Sequence, residues 1–224
     1  MVGSAWPIAR AALHACLLHA LAKPLLLALA FLPLGTLVVG AATDQLGANP
    51  AETLIRETGE WALRFLCLTL AVTPARVMFG LPALARLRRM TGLFTYFYGV
   101  LHLLSYAWFD MGFDVSDIVR DIAKRPFILV GFLSFLLLTP LAATSFNRAV
   151  KSLGARRWQM LHRLVYCVVA LVLLHFFWMR AGKNDFNEVA VYAAILTLLL
   201  GWRLARKWRE RRLQAASARA TRGQ

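Results

Sequence analysis

Three histidines stand inside otherwise apolar stretches of the chain: His102 in YGVLHLLSY, His162 in RWQMLHRL and His175 in VLLHFFW. Ionisable side chains are costly to place in lipid, so such positions are functional by default. None of these stretches contains Asp or Glu. A proton relay in a membrane commonly includes carboxylates. Neutral imidazole without carboxylate or thiolate suits haem iron, which takes axial histidines from facing helices of a bundle. A structural or proton-handling role is the alternative. His14 and His19 precede the first apolar run and read as interfacial side chains.

The composition says what must position these residues. The chain has 224 residues, 59% hydrophobic and 17% charged, with mean hydropathy +0.59. Ordinary soluble domains carry about 25% charge, and disordered chains lack this hydrophobicity. Six apolar stretches are read at 24–42, 61–79, 91–109, 126–144, 158–178 and 189–206. Each is about the 20 residues that cross ~30 Å of hydrocarbon. The expected fold is all-α and polytopic: six transmembrane helices in a haem-binding bundle. Residues 1–23 form an interfacial lead-in, 24–206 the membrane domain and 207–224 a basic tail. Pro33, Pro74 and Pro140 fall inside or near the ends of spans, where membrane helices tolerate them. Cys16, Cys67 and Cys167 show neither disulfide nor metal spacing and read as small buried apolar residues.

Lys and Arg outnumber Asp and Glu by 26 to 11, a formal charge of +15. Its placement excludes a nucleic-acid reading. The second and fourth connections hold Arg86, Arg88, Arg89, Arg148, Lys151, Arg156 and Arg157 without an acid. Ten of the eleven acids lie in connections one, three and five. The positive-inside rule then puts the basic connections and both termini in the cytoplasm. Arg76, Arg88, Arg89 and Arg163 have a second use: charge-assisted bonds to haem propionates or a flavin phosphate. No nucleotide-binding motif is present, so no nicotinamide domain is expected on this chain.

Depth arithmetic selects a pair. At 1.5 Å per residue His102 lies about 20 Å from Arg89, while His175 lies about 27 Å and His162 about 7–8 Å from Arg157. His102 therefore pairs with His175, in the outer half of the membrane. His162 marks a second, inner redox site. Thirteen residues turn an ideal helix about 220° beyond whole turns. Either the helix bends between His162 and His175, or His162 serves a different group.

The segments RRMTGLFTYFYGVLHLLSY, KRPFILVGFLSFLLLTPLAATS and LGARRWQMLHRLVYCVVALVLLHFFW resemble the MsrQ family, formerly YedZ. The resemblance runs from about residue 20 to 206. Its wider relatives are the transmembrane domains of ferric reductases and NADPH oxidases. It implies haem b at His102, His162 and His175, and brings FMN as a family cofactor. It implies an electron-transfer subunit in the bacterial inner membrane. Electrons would come from quinone or a cytosolic flavin reductase and reach a periplasmic molybdopterin methionine-sulfoxide reductase of the MsrP type. Two alternatives from other classes stand beside it: a stand-alone transmembrane ferric or quinone reductase, and a histidine-based proton or metal transporter.

Overall fold

The computed structural model describes residues 5–182 and 184–222. The outermost residues of the expected terminal segments, 1–4 and 223–224, lie outside that range. All nine α-helices among the described residues run in simple order. They are α1 (Ala5–Leu18), α2 (Ala22–Ala42), α3 (Pro50–Met78), α4 (Leu87–Phe109), α5 (Val115–Lys124), α6 (Pro126–Ala143), α7 (Asn147–His162), α8 (Val165–Ala181) and α9 (Asn187–Arg222). A short 3₁₀ turn, Pro82–Arg86, leads into α4.

Five of the six expected apolar stretches each fall on one helix, and the stretch 158–178 is divided between α7 and α8 by a break at residues 163–164. Five segments are long and apolar enough to cross a membrane: α2, α3, α6, the α7–α8 run and α9. The protein is thus an all-α multi-pass membrane protein. The sixth expected span is α4. Its 23 residues are sufficient in length, but Thr91, Thr95, Tyr96, Tyr98, His102 and Tyr106 dilute its hydropathy. Of those polar groups, Thr95, Tyr96 and His102 belong to the site described below.

The charged connections hold more structure than the apolar reading anticipates. The first turns of α3 lie upstream of the expected span. Asn49 caps them, accepting from the Glu52 amide at 3.1 Å, and Pro50 occupies the first turn, where its missing N–H costs nothing. The third connection contains α5, capped by Asp114 through the Ser116 and Asp117 amides. The Ser116 hydroxyl also donates to the Asp114 carboxylate at 2.7 Å and, with the two amides, holds it below its ordinary range. The fourth connection is mostly helical as α7, interrupted at Gly154, whose φ of 72° is the left-handed region that glycine enters freely. At the other end, α9 continues without a break into the basic tail.

Helix α3 packs chiefly on α4, and α6 on α8. Leu63, Leu66 and Leu70 of α3 meet Val168, Val169 and Phe176 of α8 and Leu196 of α9 in one core. In lipid such contacts stabilise by close packing rather than by expelling water. Cys167 lies on an outer face of α8 and Cys16 on α1 outside the spans, so both are exposed and Cys67 is half-buried. The expected burial of all three cysteines is corrected accordingly. All are free thiols.

A second core gathers Ala30, Phe65, Phe94 and Tyr98. Tyr98 is fully buried and stacks on Phe65 at 5.4 Å. Its hydroxyl sits beside the Pro33 position of α2, donating to the Ala30 carbonyl at 2.9 Å and accepting from the Leu34 amide at 3.2 Å. Proline disturbs the helix ladder at this level, and lipid offers no water to repair it. Tyr98→Phe is expected to cost about 1–3 kcal/mol by removing that bridge. Thermal unfolding in detergent should show a lowered midpoint; an unchanged midpoint would mean the hydroxyl contributes nothing.

Candidate metal centre

His102 of α4 and His175 of α8 come together with ring centres 6.2 Å apart and planes inclined by 73°. The depth arithmetic pairs these same two residues. It leaves a difference of about 7 Å because it assumes straight, parallel helices at 1.5 Å per residue. The chain does not run straight: α7 ends at His162 and α8 begins at Val165.

Each imidazole is fixed in the same way. His102 Nδ1 lies 2.8 Å from the carbonyl oxygen of Ile55 in α3, and His175 Nδ1 lies 2.7 Å from that of Phe127 in α6. A carbonyl only accepts, so both Nδ1 atoms carry the proton and donate. Both Nε2 atoms are left as unprotonated donors for a metal. This is the familiar arrangement in which the outer bond of a ligating histidine sets its tautomer and orientation. The imidazole on α4 is thus oriented by its packing partner α3, and the imidazole on α8 by its packing partner α6.

Glycine makes both approaches feasible. One helical turn beyond Ile55 stands Gly59, and one turn beyond Phe127 stands Gly131. A Cβ at Gly59 would lie 3.0 Å from His102 Nδ1, and one at Gly131 only 2.7 Å from His175 Nδ1. The sequence reading misses both positions. Their only signal is a glycine four residues after each accepting carbonyl.

His162 is elsewhere. Its Nε2 lies 3.2 Å from the Thr144 hydroxyl, and its ring stacks 4.0 Å from Trp158. Trp158 also donates to the Thr144 carbonyl at 2.9 Å. Between His162 and His175 the chain tightens: Arg163, Leu164 and Tyr166 donate to residues three earlier. Such a 3₁₀ interruption reorients the helix beyond it. The expected bend is found there, and His162 does not join the pair.

Instead, His162 lines a cavity of about 250 Å³ together with Arg88, Arg89, Thr95 and Tyr96. A second cavity of about 220 Å³ shares Arg88 and His162 and adds Arg163, Gln159, Tyr166 and Arg203. Arg76 lines neither, but stands close enough to repel Arg88. Arg89 also donates to Asn147 at 2.6 Å. Three of the four expected arginines therefore converge on these joined cavities. Arg203 is the one missed: it lies at the end of the last expected span, where a basic run begins. It donates to the Leu70 carbonyl at 2.7 Å, and its buried Nε has no hydrogen-bond partner among the described residues.

At the opposite end, ion pairs tie three helices together. Arg180, 4% exposed, pairs with Glu188 and lies 3.8 Å from Glu60. Arg64 meets Glu60 at 2.7 Å and the Tyr192 hydroxyl at 3.2 Å. Along α8 the ion-paired Arg180 and the cavity residue Val165 lie on opposite sides of His175, whereas on α3 Glu60 and Arg64 lie between Gly59, beside His102, and the cavity residue Leu66. Among the described residues no three His, Cys, Asp or Glu side chains form a cluster that could hold a metal ion.

An imidazole pair within an all-α membrane bundle defines a class. The family model described as "Ferric reductase like transmembrane component" matches residues 58–174, from α3 to the residue before His175. More narrowly, the chain belongs to the MsrQ family. It is 67% identical to the protein-methionine-sulfoxide reductase heme-binding subunit MsrQ of Polaromonas naphthalenivorans over 201 residues, covering 90% of this chain and 92% of that one. The proteins of the same name from Herminiimonas arsenicoxydans and Ralstonia nicotianae are 51% and 54% identical. They cover 85% and 86% of this chain, which spans 88% of each. No solved structure matches the chain.

Proposed function

We propose that this chain is a haem-binding electron-transfer subunit of the bacterial inner membrane. It would take electrons from quinone or a cytosolic flavin reductase and deliver them to a periplasmic molybdopterin methionine-sulfoxide reductase of the MsrP type. The observation that carries the reading is the imidazole pair with both Nδ1 atoms bonded and both Nε2 atoms free.

The residues fit haem on two counts. Neutral imidazoles are its usual axial donors. With metal–nitrogen bonds of about 2 Å and each nitrogen about 1 Å from its ring centre, two axial imidazoles need centres roughly 6 Å apart. The observed 6.2 Å agrees. Haem bound there supplies reversible one-electron chemistry. The chain's own part is to hold and tune it. His102 and His175 provide the ligands, the Ile55 and Phe127 carbonyls hold their protons on Nδ1, and the apolar spans exclude water.

The inner cavities serve a second group in this reading. His162 offers one imidazole, and Arg88, Arg89 and Arg163 offer charge-assisted bonds to propionates or to the phosphate of FMN. The positive-inside rule supports placing this basic end in the cytoplasm, with both termini. The acidic end would then face the periplasmic partner. A transporter is less well supported, since transporter folds commonly carry internal repeats and the sequence shows none.

The test is reconstituted transfer. Purified protein supplied with a reduced quinone, or with a flavin reductase and its donor, should reduce an MsrP-type enzyme and drive methionine-sulfoxide reduction. Reduction of quinone or ferric iron alone, with none of the partner enzyme, would favour the stand-alone reductase.

A further inference from the structure

The two ligand assemblies are linked at their outer end by one carboxylate. Asp121 lies on α5, outside the apolar spans. Its Oδ2 accepts from the Tyr106 hydroxyl at 2.6 Å. Arg125 grips the same carboxylate with two bonds, Nε to Oδ1 at 2.6 Å and Nη2 to Oδ2 at 2.5 Å. The Arg125 amide adds a bond to the Asp121 carbonyl at 2.9 Å.

Each partner stands next to one imidazole. Tyr106 is four residues after His102, one turn up the same face of α4. Arg125 is the N-cap of α6, and its carbonyl accepts from Ile128 and Leu129 to start that helix. Two residues on is Phe127, whose carbonyl holds His175 Nδ1 and whose ring lies 5.8 Å below the Arg125 guanidinium. The path therefore runs from His102 through α4 to Tyr106, across Asp121 to Arg125, and through Phe127 to His175. Thr139 also joins α6 to α4 by donating to the Tyr96 hydroxyl at 3.4 Å, but it stands twelve residues from Phe127.

We propose that Asp121 is a positioning residue that sets the gap between His102 and His175. It fastens α4 to the first turn of α6, and so fixes where the Phe127 carbonyl presents its acceptor to His175. This rests on the haem reading above, because the gap matters only if one metal is shared by both rings. Bidentate arginine–carboxylate bonds add geometric definition as well as strength. A metal-ligating histidine whose outer partner is disturbed typically loses about 10–100-fold in affinity. Asp121 acts one bond further out, so the lower end of that range is the expectation.

The experiment uses full-length, haem-loaded protein in detergent. Asp121→Asn and Tyr106→Phe are compared with Asp121→Glu and with Asp117→Asn. Asp117 is an exposed neighbour on α5 whose side chain pairs with Arg120, at 3.0 Å. Three quantities are read: helix content, haem retention on dilution, and the low-spin fraction by electron paramagnetic resonance. Asp121→Asn and Tyr106→Phe should keep their helix content, retain haem about 10-fold more weakly, and show a high-spin component. Asp121→Glu should recover part of both losses, and Asp117→Asn should match the parent. Should Asp121→Asn fail to accumulate, Tyr106→Phe decides alone. Wild-type retention and spin state in the folded variants overturn the proposal. The two levels separate cleanly. If His102→Ala and His175→Ala abolish the low-spin signal while Asp121→Asn and Tyr106→Phe are silent, the clamp fails and the haem reading stands. If the histidine variants are themselves silent, the haem reading fails and takes the clamp with it.

Discussion

His102→Ala or His175→Ala should each remove most of the haem absorbance of the purified protein. One imidazole cannot replace two. The surviving ring would keep its carbonyl bond at 2.7–2.8 Å but would face an apolar gap instead of a second donor. Both substitutions should act alike, because both rings are held by the same device. His162→Ala should remove less, or alter a single spectral component, since His162 sits with Thr144 and Trp158 in the inner cavity. The check is the visible spectrum with haem quantified per protein. Full absorbance in either of the first two variants would break the pairing.

The second large effect is expected where no side chain exists. Gly131→Ala places a methyl group 2.7 Å from His175 Nδ1 and 2.8 Å from Cε1. Carbon and nitrogen make ordinary contact near 3.5–4.0 Å. The imidazole must retreat, and it cannot do so while keeping a 2.7 Å bond to the Phe127 carbonyl. Losing that outer bond should weaken haem retention about 10–100-fold. Gly59→Ala should act in the same direction but less, because its methyl would lie 3.0 Å from His102 Nδ1. Alanine favours helix over glycine by about 1 kcal/mol, so both variants should remain helical. Weaker haem binding in a protein at least as helical as the parent separates this effect from misfolding. Unchanged retention in Gly131→Ala would show that the close approach is not required.

These two effects mark what the sequence discloses and what it hides. Long apolar runs are legible because hydrocarbon demands them, and all but the run 158–178, which is divided between α7 and α8, fall on a single helix. The His102–His175 pairing is legible because charge asymmetry sets helix direction, and direction lets depths be compared. Helices α5 and α7 are not legible from hydropathy, since VSDIVRDIAK and NRAVKSLGARRWQMLH are charged and read as connections. The early start of α3 is written in Asn49, Pro50 and Glu52, yet the search for apolar spans passes over it. The turn at Arg163–Leu164 carries no proline or glycine to announce it. Thr144, Gly59 and Gly131 are hidden for another reason: their roles depend on which helix lies opposite, and a single sequence does not state that. Arg203 is concealed by its neighbours, one basic residue in a basic run.

The electrostatics of the outer end arise from the same packing. Burial alone would raise the Asp121 carboxyl, but the Arg125 and Tyr106 hydrogen bonds outweigh it and hold the group below the ordinary carboxylate range. Asp121 is therefore charged at neutral pH, where the clamp needs it. The contribution to stability is present above the ordinary carboxylate range and is lost as pH falls through the lowered value.

Whether His102 and His175 share one iron is decided by electron paramagnetic resonance of the oxidised, purified protein. A shared iron gives a low-spin, bis-imidazole signal that disappears in both His102→Ala and His175→Ala and persists in His162→Ala. A low-spin signal that survives either of the first two substitutions would rule out the shared iron.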